Sequence, residues 1–326
     1  MKKKIQLTGA IFLSLFIVIG CYKEDVQAIS SSKKQSTLTD LFKNIAPPKQ
    51  NFTVTAGQQQ VVTGEKGTKV TFFATSFKKK DGTILTSGSV KIVLQEMLTG
   101  PEMILANKTT TSDGKLLISG GQIFISAYSG LEELLVNQNA KIQVQIPNNN
   151  LGSMALYKGN VKERDSIKED TTINWVKEKD TVAINLDSAQ GGGGAAGGGL
   201  KEYFKFDFGD FGYWNCDQLY SDPNPKTELH IKTPAGFVDS NTQIYIYFVA
   251  INSVAKCEGF KLQTNEFYLN HSEAPVGMSI KIVLIAKKDG IHYLDTKSAV
   301  TSAGFTMTMN PTSSTEAATK LAIKSL

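Results

Sequence analysis

Lys141-Ile142-Gln143-Val144-Gln145-Ile146 alternates apolar and polar residues at every step and stops at Pro147. Successive side chains of a strand point to opposite faces, so a period of two marks a strand with one buried face. Proline has no N–H to give a ladder and ends it. The same alternation recurs upstream in Phe52-Thr53-Val54-Thr55, Thr68-Lys69-Val70-Thr71-Phe72, Ser89-Val90-Lys91-Ile92-Val93-Leu94 and Gln122-Ile123-Phe124-Ile125-Ser126. Asp81-Gly82 and Asp113-Gly114 are hairpin-type turn signals between these runs. Half-buried strands at this spacing predict a β-sandwich over residues 51–150.

Downstream the pattern repeats. Gln243 to Ile251 and Gly277 to Ala286 read as buried strands, followed by a Lys288-Asp289-Gly290 turn and Ile291-His292-Tyr293-Leu294. Phe305-Thr306-Met307-Thr308-Met309 closes the series. The opening is aromatic-dense: Tyr203, Phe204, Phe206, Phe208, Phe211, Tyr213 and Trp214. Such rings build a core or, as the sharper alternative, a carbohydrate-stacking platform. The expected fold class is therefore all-β, with two β-sandwich-like domains at 51–150 and 200–311. A short terminal helix is expected over 312–326, with Ser313 and Glu316 in capping-box spacing.

The N-terminus reads as an export signal. Lys2, Lys3 and Lys4 precede an uncharged, largely apolar stretch from Ile5 to Ile19, and Gly20 supplies the small residue before cleavage. The apolar run is shorter than the roughly 20 residues of a spanning helix. Val18-Ile19-Gly20-Cys21 resembles the bacterial lipobox, which implies removal of 1–20 and lipidation of Cys21. Several acyl chains would be needed for retention, each buried CH₂ adding about 0.8 kcal/mol. Lys23-Glu24-Asp25 resembles the lipoprotein export signal of Bacteroidota, which implies the outer face of the outer membrane, with a periplasm-facing lipoprotein as the alternative. Residues 21–50 then read as a flexible tether. Within it Leu38, Leu41, Phe42 and Ile45 recur at i, i+3, i+4 and i+7, the stripe of a short helix that Pro47 would stop.

A family resemblance covers about 90 residues of the first domain. Gly67-Thr68-Lys69-Val70-Thr71-Phe72, Phe77, Gly88-Ser89-Val90-Lys91-Ile92, Met103-Ile104-Leu105-Ala106 and Thr111 through Gly121 are similar, in order, to the ZU5-like domain of bacterial envelope proteins. The resemblance implies a β-sandwich that interacts rather than catalyses. Some members cleave themselves at a His-Phe-Ser site; this chain has no histidine before His230, so that activity is not carried over. Phe211 to Asp217, with Tyr220 and Pro225, resembles a segment of uncharacterised lipoproteins of the same phylum.

Residues 151–199 read as a connector. It contains Asp165-Ser166-Ile167, Asp170-Thr171-Thr172, Asp180-Thr181-Val182 and Asp187-Ser188-Ala189. Each resembles the O-glycosylation pattern of Bacteroidota, implying modification at Ser166, Thr171, Thr181 and Ser188; the plainer reading is a polar connector. Gly191 to Gly199 has seven glycines in nine residues. Ordering glycine is entropically expensive, so this run is a domain linker or a long loop.

The chain is 326 residues with formal charge +5, and losing the three lysines of 1–20 leaves +2. That is no footprint for nucleic acid. Cys216 and Cys257 are the cysteines left after Cys21. Outside the inner membrane they form either a disulfide, closing a loop worth about 4 kcal/mol in the chain-entropy model, or two buried thiols. His230, His271 and His292 are scattered and give no zinc spacing. Cys216 with one of them would be the barest thiol-hydrolase pair. Asp207, Asp210, Asp217 and Asp222 cluster in sequence without a calcium-loop spacing. No catalytic or metal residues and no cofactor are assigned. The expected partners are the membrane, through the anchor, and a glycan or protein ligand. The expected function is a non-catalytic binding or structural role in the envelope. The alternative is an envelope- or polysaccharide-directed hydrolase.

Overall fold

The computed structural model describes residues 31–147, 154–162, 172–181, 183–185 and 203–326. Among the described residues strands dominate, with three α-helices: α1 (Ser31–Ile45), α2 (Gly100–Leu105) and α3 (Glu316–Lys324). The all-β class holds. The strand Ile142–Pro147 lies at the centre of a five-stranded sheet. The order is Ala183–Asn185, Tyr203–Phe208, Ile142–Pro147, Lys69–Phe72, Gln60–Thr63. Ile142, Val144 and Ile146 are fully buried and Gln143 and Gln145 are half-buried, as the alternation requires.

A larger sheet faces it. Its strands run Gln50–Thr55, Ser89–Met97, Lys115–Ser129, Gly212–Leu219, Ala155–Lys162, Thr172–Thr181, all antiparallel. Ile92, Leu94, Ile123 and Ile125 from this sheet meet Val70, Phe72, Val144 and Phe204 from the other in one core. A second sheet pair encloses its own core of Leu229, Ile231, Ile244, Ile246, Ile282 and Leu284. One of its sheets runs Gly259–Lys261, Glu266–Pro275, Lys226–Lys232, Thr306–Thr308. The other runs Ser253–Lys256, Thr242–Phe248, Ser279–Lys288, Ile291–Val300, Thr312–Ser314.

The structure corrects the expected boundaries at 150 and 200. The stretches read as connector and as the opening of the second domain belong to the first sheet pair. Gly212–Leu219 pairs with Lys115–Ser129, and Tyr203–Phe208 pairs with Ile142–Pro147. Lys115–Ser129 is hydrogen-bonded on both edges, to Ser89–Met97 on one side and to Gly212–Leu219 on the other. The chain passes to the second sheet pair only around Tyr220–Pro225. The glycine-rich run lies outside the described residues. It joins Ala183–Asn185 to Tyr203–Phe208, which are hydrogen-bonded neighbours in one sheet. It is therefore a connection within the first sheet pair and not a domain linker.

The tether expectation is corrected as well. The predicted helix forms, but it is docked. Leu38, Leu41, Phe42 and Ile45 are 4%, 0%, 5% and 1% exposed. They pack with α2, α3 and the outward residues Tyr245, Tyr247, Val283 and Ile285 of the second sheet pair. An isolated helix of this length is marginal in water, so the stripe needs that partner to hold. At the other terminus Thr315, not Ser313, caps α3. Its side chain accepts from the Ala318 N–H at 3.1 Å, while Ser313 sits in a strand.

A polar clasp ties the two sheet pairs together. Asn252 lies in the left-handed region at φ 49°, where asparagine is better tolerated than most residues. Its Oδ1 accepts from the Gly100 N–H at 2.7 Å, and its Nδ2 donates to Leu98 O and Ser119 O, both at 3.0 Å. Alongside it the Val254 N–H donates to Thr110 Oγ1 at 2.7 Å, and the Thr110 N–H donates to Val254 O at 2.8 Å.

Candidate binding cleft

The docked helix α1 borders a cleft of about 650 Å³. Its walls come from five places in the sequence. The end of α1 and the segment after it supply Phe42, Lys43 and Asn44, then Pro47, Pro48 and Lys49. The turn after α2 supplies Asn107 and Lys108. Gln95 and Tyr213 come from the large sheet, and Lys320 from α3.

Each wall is fixed by its own contacts. Gln95 Nε2 donates to Pro47 O at 2.7 Å and pins the chain as it leaves α1. The Lys320 ammonium lies 3.4 Å from Ala46 O, at the carbonyl end of α1, where a cation is favoured by the helix dipole. Asn44 Nδ2 lies 3.2 Å from both carboxylate oxygens of Glu316, which bonds α1 to α3. Asn107 adopts φ 54°, and its Oδ1 accepts from the Tyr245 hydroxyl at 2.6 Å. α2 opens with Pro101, and the Glu102 carboxylate accepts from the Leu98 N–H at 3.0 Å and the Thr99 N–H at 3.3 Å. Thr99-Gly100-Pro101-Glu102 is capping-box spacing with proline in the first turn. That signal was present in the sequence and could have found this helix.

The electrostatics of the cleft are one-sided. Lys43, Lys49, Lys108 and Lys320 line it, and among the described residues none of the lining is acidic. Lys43 and Lys49 are exposed at the mouth, whereas Lys108 is 9% exposed, in the wall. The Lys108 ammonium lies 5.0 Å from the centre of the Tyr213 ring, and the Lys49 ammonium 5.2 Å from that of Phe124. The Tyr213 and Phe124 rings are themselves in contact at 4.8 Å. Burial raises the Tyr213 hydroxyl above the usual tyrosine range, so it stays a neutral donor at physiological pH. The cleft can hold negative charge beside apolar ring surface.

The sequence candidates fall elsewhere. Cys21, Lys23, Glu24 and Asp25 lie outside the described residues, as do Ser166, Thr171 and Ser188; Thr181 ends the strand Thr172–Thr181. Cys216 and Cys257 are free and buried, one in each core, which corrects the bridged alternative. Burial raises both thiols well above the ordinary cysteine range, opposite to what a thiolate nucleophile needs. The aromatic opening is core and not a platform: Phe204, Phe208 and Trp214 are at most 3% exposed, and Phe208 stacks on Trp214 at 4.4 Å. Tyr213 is the ring of that group that reaches the cleft.

The four aspartates do not converge. Asp210 pairs with Lys158, Asp222 accepts from the Tyr220 hydroxyl, and Asp217 is sealed inside. Among the described residues no cluster of three or more His, Cys, Asp or Glu groups could hold a metal ion. His230 is flanked by Glu266 at 2.8 Å and Glu228 at 3.1 Å on a different sheet from Cys216. No family model matches the chain, and neither a curated protein nor a solved structure matches it.

Proposed function

We propose that this protein is a lipid-anchored lipoprotein of the cell envelope, displayed on the cell surface, that binds a ligand rather than transforming one. The observation that carries the binding reading is the cleft. Its walls are held by hydrogen bonds from three separate elements, and its lining combines cations, amides and rings in a volume within the usual range of ligand sites. A pre-formed cleft of this kind loses little freedom when a ligand enters. The lipobox-like Val18 to Cys21 supports the anchor, and Lys23-Glu24-Asp25 supports surface display. The order of segments in 67–121 supports a ZU5-like first sheet pair, a family whose members interact.

Two measurements test this. Protease treatment of intact cells should remove the body of the protein while a periplasmic control survives; protection until the outer membrane is broken would place it on the inner side. Purified protein mixed with soluble polysaccharides should retain polymer without generating new reducing ends. Release of reducing ends would replace binding with the hydrolase reading.

A further inference from the structure

We infer that the cleft between α1, α3 and the large sheet is a site for an acidic polysaccharide, a glycan bearing carboxylate or sulfate groups along its length. The inference rests on the binding reading above and names the ligand class for that cleft. Among the described residues four lysines line it and no carboxylate does. Lys43 and Lys49 come from α1 and the segment after it, Lys108 from the turn after α2 and Lys320 from α3, so the cations are spread over three walls. A single compact anion is held best by converging donors or a planar arginine fork. Among the described residues that line the cleft there is no arginine. Lysine is a rotatable point charge, so separated lysines suit negative groups spread along a ligand.

Between the cations lie ring and proline surfaces: Phe42, Pro47, Pro48 and Tyr213. The flat C–H face of a sugar ring fits such surfaces. The overall charge of the mature chain, +2, is too small to attract polyanions generally. Any preference must therefore come from the local arrangement.

The test compares matched polymers on the full mature protein by affinity electrophoresis. Polygalacturonate is set against its fully methyl-esterified form, and dextran sulfate against dextran. Two triple variants are run beside the wild type. One is Lys43→Gln, Lys49→Gln, Lys320→Gln. The other, with the same charge change, is Lys91→Gln, Lys115→Gln, Lys232→Gln, at exposed lysines that do not line the cleft. The expected result is retardation by acidic polymers only. The cleft triple should weaken it roughly tenfold, exposed ion pairs being individually weak, and the control triple should leave it unchanged. Carboxylate-only or sulfate-only binding identifies the source of the charge. Equal loss in both triples would overturn the site and reduce the effect to general attraction. Equal binding of the neutral partners, untouched by the cleft triple, would overturn the charge assignment and leave the binding reading standing. No retardation by any polymer would overturn the acidic-polysaccharide assignment.

Discussion

Two sheets in this molecule have an outer face closed off from water, and they are closed by opposite means. On the second sheet pair, Tyr245, Tyr247, Val283 and Ile285 are covered by Leu41, Phe42 and Ile45 of α1, Ile104 and Leu105 of α2 and Ile323 of α3. That seal is apolar. On the large sheet of the first pair, the covered face carries Ser119, Gln122, Asn215 and Asp217, all at 0% exposure. It is closed by the segment around Thr109 and by the Asn252 loop. Gln122 Nε2 donates to Thr109 O at 2.8 Å, Trp175 Nε1 donates to the same oxygen at 2.6 Å, and Asn252 reaches Ser119 O. Apolar closure stabilises in proportion to area and is indifferent to pH. Polar closure is directional, and each lost partner leaves a buried group unsatisfied. The first kind makes a shared core; the second fixes how the two sheet pairs sit against one another.

The largest effect should come from opening the apolar seal. Leu41→Ala removes a fully buried side chain from the α1 face. It should cost about 2–5 kcal/mol, measured by urea unfolding, and expose 31–49 to proteolysis. A cost near zero would mean that α1 is an accessory and that the two closures are not comparable. Asn252→Ala should follow closely, at about 2–4 kcal/mol, because Leu98 O, Ser119 O and the Gly100 N–H lose their partner together. Asn252→Gly keeps the backbone conformation and should recover only a small part of that loss. Full recovery would show the turn, not the clasp, to be what matters.

The third effect has the opposite sign. Asp217 is sealed between the sheet pairs, and burial raises its carboxyl well above the usual carboxylate range despite help from Ser119 and Asn215. Asn215 Nδ2 donates to Oδ2 at 2.5 Å, while Oδ1 has no partner. A raised carboxylate means that the unfolded chain gives up its proton at lower pH than the folded one. The stability it lends is complete below the unfolded value of about 3.9 and is lost as pH rises toward the folded value. Asp217→Asn should therefore stabilise at neutral pH, by at least the 2–4 °C in Tm that about 1 kcal/mol produces in a domain of 150–250 residues. The gain should vanish near pH 3–4. The apolar-seal variant Leu41→Ala should show no such pH dependence.

The two closures also differ in how far the sequence reveals them. The strands announce themselves by alternation, and the α1 stripe by its i, i+3, i+4, i+7 spacing, because both periods are local. What a stripe packs against is not local. Nothing in Leu38 to Ile45 names Tyr245 or Val283 as its cover, although a lone helix of 15 residues could hardly hold without one. The polar face was harder still. Ser119 and Asn215 meet across 96 residues of sequence. The register slips between Asn215 and Asp217, so alternation there misreports which side chains face in. The cleft was invisible for the same reason. Read one at a time in the sequence its lysines look like any others, and only the docking of α1 and α3 brings them together. Assigning 200–311 to one domain failed because Gly212–Leu219 looks like any strand, and its partner lies far upstream.

The smallest expected effect is no effect at all, and it checks whether the two cores are covalently independent. Cys216 packs in the first core and Cys257 in the second. A bridge between them would close a loop of about 40 residues and stabilise by about 4 kcal/mol. Removing it would lower Tm by roughly ten degrees, at 2–4 °C per kcal/mol. With both thiols free, a reducing agent should leave Tm unchanged, and the native protein should resist thiol reagents because neither sulfur is accessible or ionised. Denaturation without reductant should release both. A reductant-sensitive Tm would show that the cores are linked through their cysteines. The clasp at Asn252 would then be one of two ties between the sheet pairs, and the loss expected for Asn252→Ala should grow when the reductant is present.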